Sequence, residues 1–242
     1  MGANATHHVS MESIMCKTLF TASVLAVALA VPFAQAHQAG DVVVRAGAIT
    51  VDPREESGDI YVGALSTSVA GTKATLDSDT QLGLNFAYMV TDKIGIELLA
   101  ASPFTHDVGV AGMPGGFASL NGKLGELKHL PPTLSVVYYP LDSKSAFQPY
   151  VGAGINYTWF FDDKLSSEAE GKGFSGLDMK DSWGLAAQVG MDYMLTDSLM
   201  VNAQVRYIDI DTTGTTSFGG AKVKVDVDVD PMVYMVGLGY KF

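Results

Sequence analysis

Large apolar side chains alternate with small or polar ones, residue by residue, through most of the chain after residue 40. Eight such stretches stand out: residues 41–51, 80–90, 94–102, 132–139, 147–159, 182–195, 199–209 and 232–242. A period of two belongs to a strand with unlike faces. In the second stretch Leu82, Leu84, Phe86, Tyr88 and Val90 share one face, opposite Gln81, Gly83, Asn85 and Ala87. The sixth sets Trp183, Leu185, Ala187, Val189, Met191, Tyr193 and Leu195 against Gly184, Gln188, Gly190 and Asp192. Such a stripe is long for a half-buried soluble strand, and each stretch is near the roughly 9–11 residues with which a tilted strand crosses a bilayer. Tyrosine and tryptophan fall near the stripe ends, where lipid headgroups suit an aromatic ring with a polar tip.

The connections sort into two kinds. Residues 91–93, 140–146 and 196–198 are short, whereas 52–79, 103–131, 160–181 and 210–231 are long. Short turns on one side and long loops on the other predict an all-β fold: an eight-stranded antiparallel transmembrane barrel with periplasmic turns and extracellular loops. The soluble rival is an eight-stranded lipocalin-type barrel. It would turn the Leu, Tyr and Trp side chains inward, where they crowd a small lumen. Glycine, Asn, Gln, Arg and Asp fill a narrow interior more easily. On the last strand Met232, Tyr234, Val236, Leu238, Tyr240 and Phe242 are then expected to face lipid, and Val233, Met235, Gly237, Gly239 and Lys241 the lumen.

Composition narrows the setting. Residues 17–36, KTLFTASVLAVALAVPFAQA, combine a basic start, an apolar run and an A-x-A site, the marks of a secretory signal cut after Ala36. The expected division is therefore 1–36, an N-terminal extension and signal peptide, and 37–242, the barrel; Met11 or Met15 would place the start nearer Lys17. The single cysteine, Cys16, precedes the apolar run, so no disulfide is expected downstream. The formal net charge of −11 argues against a nucleic-acid partner. An acidic surface instead fits water, cations and lipopolysaccharide bridged by divalent ions.

Parity places Arg45, Glu97, Asp192, Arg206 and Lys241 inside, with Asn85, Gln188, Asn202 and Gln204. Buried charges need partners or water, so this set is either a polar pore or a plug of the lower lumen. Eight strands leave an interior just wide enough for side chains to fill, which favours the plug. Above it, Ile49, Val51, Leu99 and Phe160 point inward, and the second long loop can add Val108, Val110, Met113, Phe117 and Leu120 to an apolar substrate pocket. Within that loop GMPGG, residues 112–116, lacks the Lys and Ser/Thr of a phosphate loop and reads as a flexible bend with no helix after it. Asp226, Asp228 and Asp230 share a face with Lys222 and Lys224 on an expected upward extension of strand eight; a solvated edge outweighs a cation site there. His106, Asp107, Ser119 and His129 share a loop without motif spacing, so no catalytic residue, metal or cofactor is assigned.

Several segments together resemble the OmpW family: DVVVRAGAITVDP, TQLGLNFAYMVTDKIGIELLAASPFTHDV, HLPPTLSVVYYP, PYVGAGINYTWFFD, LDMKDSWGLAAQVGMDYML and MVNAQVRYIDIDTT. The similarity runs from about residue 40 to the end. It implies a Gram-negative outer-membrane barrel with a hydrophobic channel for small apolar molecules, with alkanes among the wider family's substrates. It also implies that the terminal Phe242 is the end signal read by the outer-membrane assembly machinery. A lateral opening is described in this family at the rim of strands three and four, where this chain carries Pro103, Pro131 and Pro132. Proline has no ladder donor, so these residues are either plain strand terminators or the edges of a lateral gate. The reading is a monomeric passive channel; the second reading is a structural or stress-response barrel whose loops serve as a receptor for colicin, phage or host surfaces.

Overall fold

The computed structural model describes residues 36–54 and 56–242. Residues 1–35, which contain nearly all of the predicted signal segment, lie outside the described residues. Eight long strands form the barrel: β1 (Val42–Asp52), β2 (Asp79–Met89), β3 (Ile94–Ala101), β4 (Thr133–Tyr138), β5 (Phe147–Leu165), β6 (Ser182–Met194), β7 (Leu199–Ile208) and β8 (Met232–Lys241). Each strand pairs antiparallel with its neighbours in sequence, β1 pairs with β8, and the ring is therefore closed. Closure removes the free edges that a bilayer cannot satisfy. Among the described residues no helix is long and apolar enough to cross a membrane.

The faces follow the sequence pattern. Leu82, Phe86 and Tyr88, then Trp183, Leu185 and Val189, and at the end Val236, Leu238 and Phe242 are all exposed on the outside. Arg45, Asn85, Glu97, Asp192, Asn202 and Arg206 are buried inside. Such a distribution is stable only when hydrocarbon surrounds the wall. Room for the long inward side chains comes from Gly83, Gly47 and Gly237, which lie side by side on β2, β1 and β8. A Cβ on Gly83 would come within 2.9 Å of Ile49.

The long connections are not loose. Loop strands Phe174–Met179, Asp211–Phe218, Ala221–Asp228, Ile60–Val62 and Thr67–Val69 form a second sheet, with Glu56–Ser57 at its side. The second loop folds as a hairpin of Phe104–Ala111 and Gly122–Leu130, flanked by Lys73–Leu76 and joined to the upper half of β5. This explains why β5 continues to Leu165, beyond the expected end at residue 159: its outer part has Gly122–Leu130 as a partner.

Two local expectations change. The bend at residues 112–116 does lead into a short 3-10 helix, Gly115–Leu120, entered through left-handed φ values at Gly112 and Gly115 that suit glycine. The aspartate-rich strand is a separate element, Ala221–Asp228, broken from β8 by Asp230 with φ 38°. Asp226 pairs there with Lys224 at 3.0 Å, whereas Asp230 turns toward Asp209 and Asp211 at the top of β7.

Candidate functional site

The lower lumen is closed by a connected network of charges. The Arg45 guanidinium donates to both carboxylate oxygens of Asp192, at 2.9 and 2.6 Å, and also to Asn85 Oδ1 at 2.9 Å and Tyr139 Oη at 2.8 Å. Glu97 lies 3.4 Å from Arg45 and 2.6 Å from Arg206. Gln188 braces Glu97 at 2.9 Å and accepts from Arg206. From the segment before β1, His37 reaches Asp192 at 2.9 Å. Two cations and two carboxylates balance, and the paired guanidinium geometry offsets much of the desolvation cost. All four charged side chains are buried.

Four of the five charges assigned to the plug therefore meet. Lys241 does not join them: it is at the lower rim, donating to the Ala36 carbonyl at 2.7 Å and lying 3.7 Å from Asp41. Inward parity holds for it, but its position as the last residue of β8 sets it below the network. Tyr139, Tyr150 and His37 join the network beyond those expected residues. Both tyrosines have inward parity and were legible; His37 is outside any strand and carried no such signal.

Above the plug the lumen is apolar. Ile49, Val51, Leu99 and Phe160 belong to one buried cluster with Phe104, Leu127 and Ile208. Three cavities rise through this region. The lowest, about 10 Å³, is lined by Val51, Leu76, Leu127, Phe160, His106 and His129 among others. The next, about 50 Å³, shares Leu76 with it and includes Val108, Val110 and Met113. The uppermost, about 340 Å³, shares Met113 with the middle one and is lined also by Leu65, Phe117, Leu120, Phe174 and Phe218. Of the seven substrate residues expected from sequence, Val51 and Phe160 line the lowest cavity and Met113, Phe117 and Leu120 the highest. Ile49 and Leu99 pack beneath them. Phe117 is 56 % exposed, so it sits at the mouth.

Next to His129, which lines the lowest cavity, the wall is interrupted. The β3–β4 ladder ends with Leu99 opposite Thr133, and pairing resumes only at Phe104 opposite His129, on the second-loop hairpin. Residues 100–103 and 130–132 lie between, and they include Pro103, Pro131 and Pro132. On the β5 side the same segment is held: Tyr157 N donates to the Pro132 carbonyl at 3.1 Å, and Asn156 Nδ2 donates to the carbonyls of Pro131 and Pro132, each at 3.1 Å. The opening in the ladder therefore faces β3 alone.

His106 and His129 stack in the lowest cavity, ring centroids 4.8 Å apart, flanked by Phe104 and Phe160. Their Nε2 atoms are 2.8 Å apart, and His106 Nδ1 lies 2.6 Å from the Asp77 carbonyl. Burial holds both imidazoles below their ordinary pKa, His129 well below; its neighbour His106 adds to the effect. Asp107 pairs with Lys123 at 2.9 Å, whereas His106 is engaged with the Asp77 carbonyl and His129.

The result is a closed eight-stranded barrel with an apolar outer wall, a salt-bridged floor and an apolar upper chamber. The OmpW family model matches residues 38–242. The chain belongs to the OmpW family. Outer membrane protein W of Vibrio cholerae is 47 % identical over 207 residues, 86 % of this chain and 91 % of that one. The crystal structure of the outer membrane protein OprG from Pseudomonas aeruginosa superposes with a TM-score of 0.81 at 52 % identity, covering 86 % of this chain and 98 % of that one. Outer membrane protein AlkL of Ectopseudomonas oleovorans is 31 % identical over 78 % of this chain and 76 % of its own length. A dibenzothiophene metabolism operon protein, PahQ of Pseudomonas aeruginosa, is 27 % identical over 72 % of this chain and 77 % of its own length. This OmpW-family barrel resides in the outer membrane.

Proposed function

We propose that the protein is a passive channel by which small hydrophobic molecules enter from outside, descend through the upper cavities and leave sideways into the membrane between β3 and β4. The observation that carries this reading is the coincidence of two features: the apolar cavities descend to the level at which the β3–β4 ladder is interrupted. Below that level the Arg45–Asp192–Glu97–Arg206 network stands in the way of a straight path to the periplasm. An apolar solute gains nothing from a wet tube and roughly 0.8 kcal/mol for each CH2 it moves into hydrocarbon. Partition and the concentration gradient then drive flux, and no covalent step is required. The similarity to PahQ, whose name ties it to dibenzothiophene metabolism, agrees with an apolar cargo. Membership of the OmpW family favours a transport barrel over a catalytic one.

Entry of an apolar compound into cells that carry or lack the gene tests the reading. Loss of the gene should slow that entry and leave a small polar solute unaffected. Unchanged entry would leave the loops, as a receptor for colicin, phage or host surfaces, as the function to pursue.

A further inference from the structure

Proton accounting in the lowest cavity identifies an unmet acceptor. A carbonyl only accepts, so the 2.6 Å contact from His106 Nδ1 to the Asp77 oxygen fixes the His106 proton on Nδ1. In the neutral ring His106 Nε2 is then an acceptor, and the 2.8 Å contact between the two rings requires His129 to donate from its own Nε2. That leaves a bare lone pair on His129 Nδ1. This atom is buried with no hydrogen-bond partner, and His129 is 4 % exposed. Among the described residues, no other residue lining the three stacked cavities carries a buried polar side-chain atom without a partner.

Water is a poor occupant. The cavity's volume of about 10 Å³ is close to the minimum for one molecule, and a buried water needs two to four polar partners. Here the remaining ring nitrogens are already committed, and the other lining residues bear apolar or proline side chains. A donor carried on an apolar body matches this lining of apolar side chains. Leu76 borders both this cavity and the roughly 50 Å³ cavity above it, so the two adjoin at that side chain.

We infer that His129 is a specificity-determining residue, and that the channel selects small apolar molecules bearing a single hydroxyl, such as phenols or alcohols, over their bare hydrocarbon counterparts. This rests on the transport reading given above and names its preferred cargo class. The hydroxyl donates to His129 Nδ1 while the hydrocarbon body lies among Leu76 and the side chains above it. One such hydrogen bond corresponds to a preference of about fivefold.

The test uses the full chain in phosphatidylcholine vesicles with p-cresol and toluene, whose affinities are each corrected for partition into protein-free vesicles. The unmodified protein is expected to prefer p-cresol by about fivefold, and folded His129→Phe to lose that preference. With ¹⁵N-labelled histidine in the unmodified protein, p-cresol but not toluene should move the His129 Nδ1 resonance toward a hydrogen-bonded acceptor. This second readout needs no substitution and stands even if His129→Phe fails to fold. Equal affinities in the unmodified protein, a preference that survives in a folded His129→Phe barrel, or an unmoved resonance at saturating p-cresol would each overturn the inference. Failure of both solutes to bind the folded protein would instead overturn the transport reading itself.

Discussion

Leu99 on β3 and Thr133 on β4 form the last matched pair of their ladder. Immediately beyond Thr133 come two prolines, Pro132 and Pro131, and the chain on that wall is tied by backbone and side-chain bonds to β5. Strand alternation sends the Pro132 carbonyl to β5, which leaves Pro131 as the residue whose absent N–H falls on the β3 side. An interruption at a proline is ordinary in a loop. Here it coincides with the foot of an apolar cavity series, in a wall otherwise surrounded by lipid.

The plug predicts an asymmetric stability pattern. Arg45→Met leaves Asp192 with only His37, Asn202 and their hydrogen bonds in a buried setting. The expected loss is about 3–5 kcal/mol, read from urea unfolding in lipid vesicles. Lys241→Gln, at the rim and still able to donate toward the Ala36 carbonyl, should cost less than Arg45→Met. Equal losses at both positions would mean that the network does not hold the lower barrel.

The outer wall predicts sensitivity to charge on one face only. Leu84→Arg places a guanidinium against hydrocarbon and should destabilise the folded barrel by up to about 2–4 kcal/mol. Nitroxides at Leu84 and Val205 should report lipid, with strong relaxation by oxygen and weak relaxation by a water-soluble nickel chelate.

Mild acid should loosen the second-loop hairpin. His106 and His129 are held neutral by burial, with folded pKa values below the unfolded value of 6.5. The unfolded state binds more protons below that pH, so the stability present above about pH 6.5 declines as pH falls toward the folded values. Amides of Phe104–Ala111 and Gly122–Leu130 should exchange faster at pH 5 than at pH 7.5 after correction for intrinsic rates. Amides in β6 and β7 should keep their protection, and His129→Phe should weaken the effect in the hairpin.

Much of the barrel was legible in the sequence because a strand's two faces are fixed by period two and a bilayer exaggerates the contrast between them. Parity places Arg45, Glu97, Asp192 and Arg206 inside, and they meet there. Lys241 shows the limit of that argument, since parity gives the face of the wall but not the height. The loops were harder to read. Phe117 is exposed at the mouth, Val108 and Val110 line the middle cavity, and Met113 bridges two cavities, because these positions depend on pairing between loop strands far apart in sequence. The pairing of His106 with His129 required the same hairpin register and had no local signal. The prolines at the β3–β4 rim were visible, but the length of the interruption depends on where pairing resumes, at Phe104 and His129.

Lateral release is tested most directly by closing the interrupted wall. Cysteines at Ala100 and Pro132, the first unmatched position on each side, can be bridged across the gap with a short bifunctional maleimide. In vesicles the bridged barrel should remain folded and lose uptake of toluene, while the same double variant left unbridged continues to transport it. Undiminished uptake by the bridged, folded barrel would contradict exit between β3 and β4.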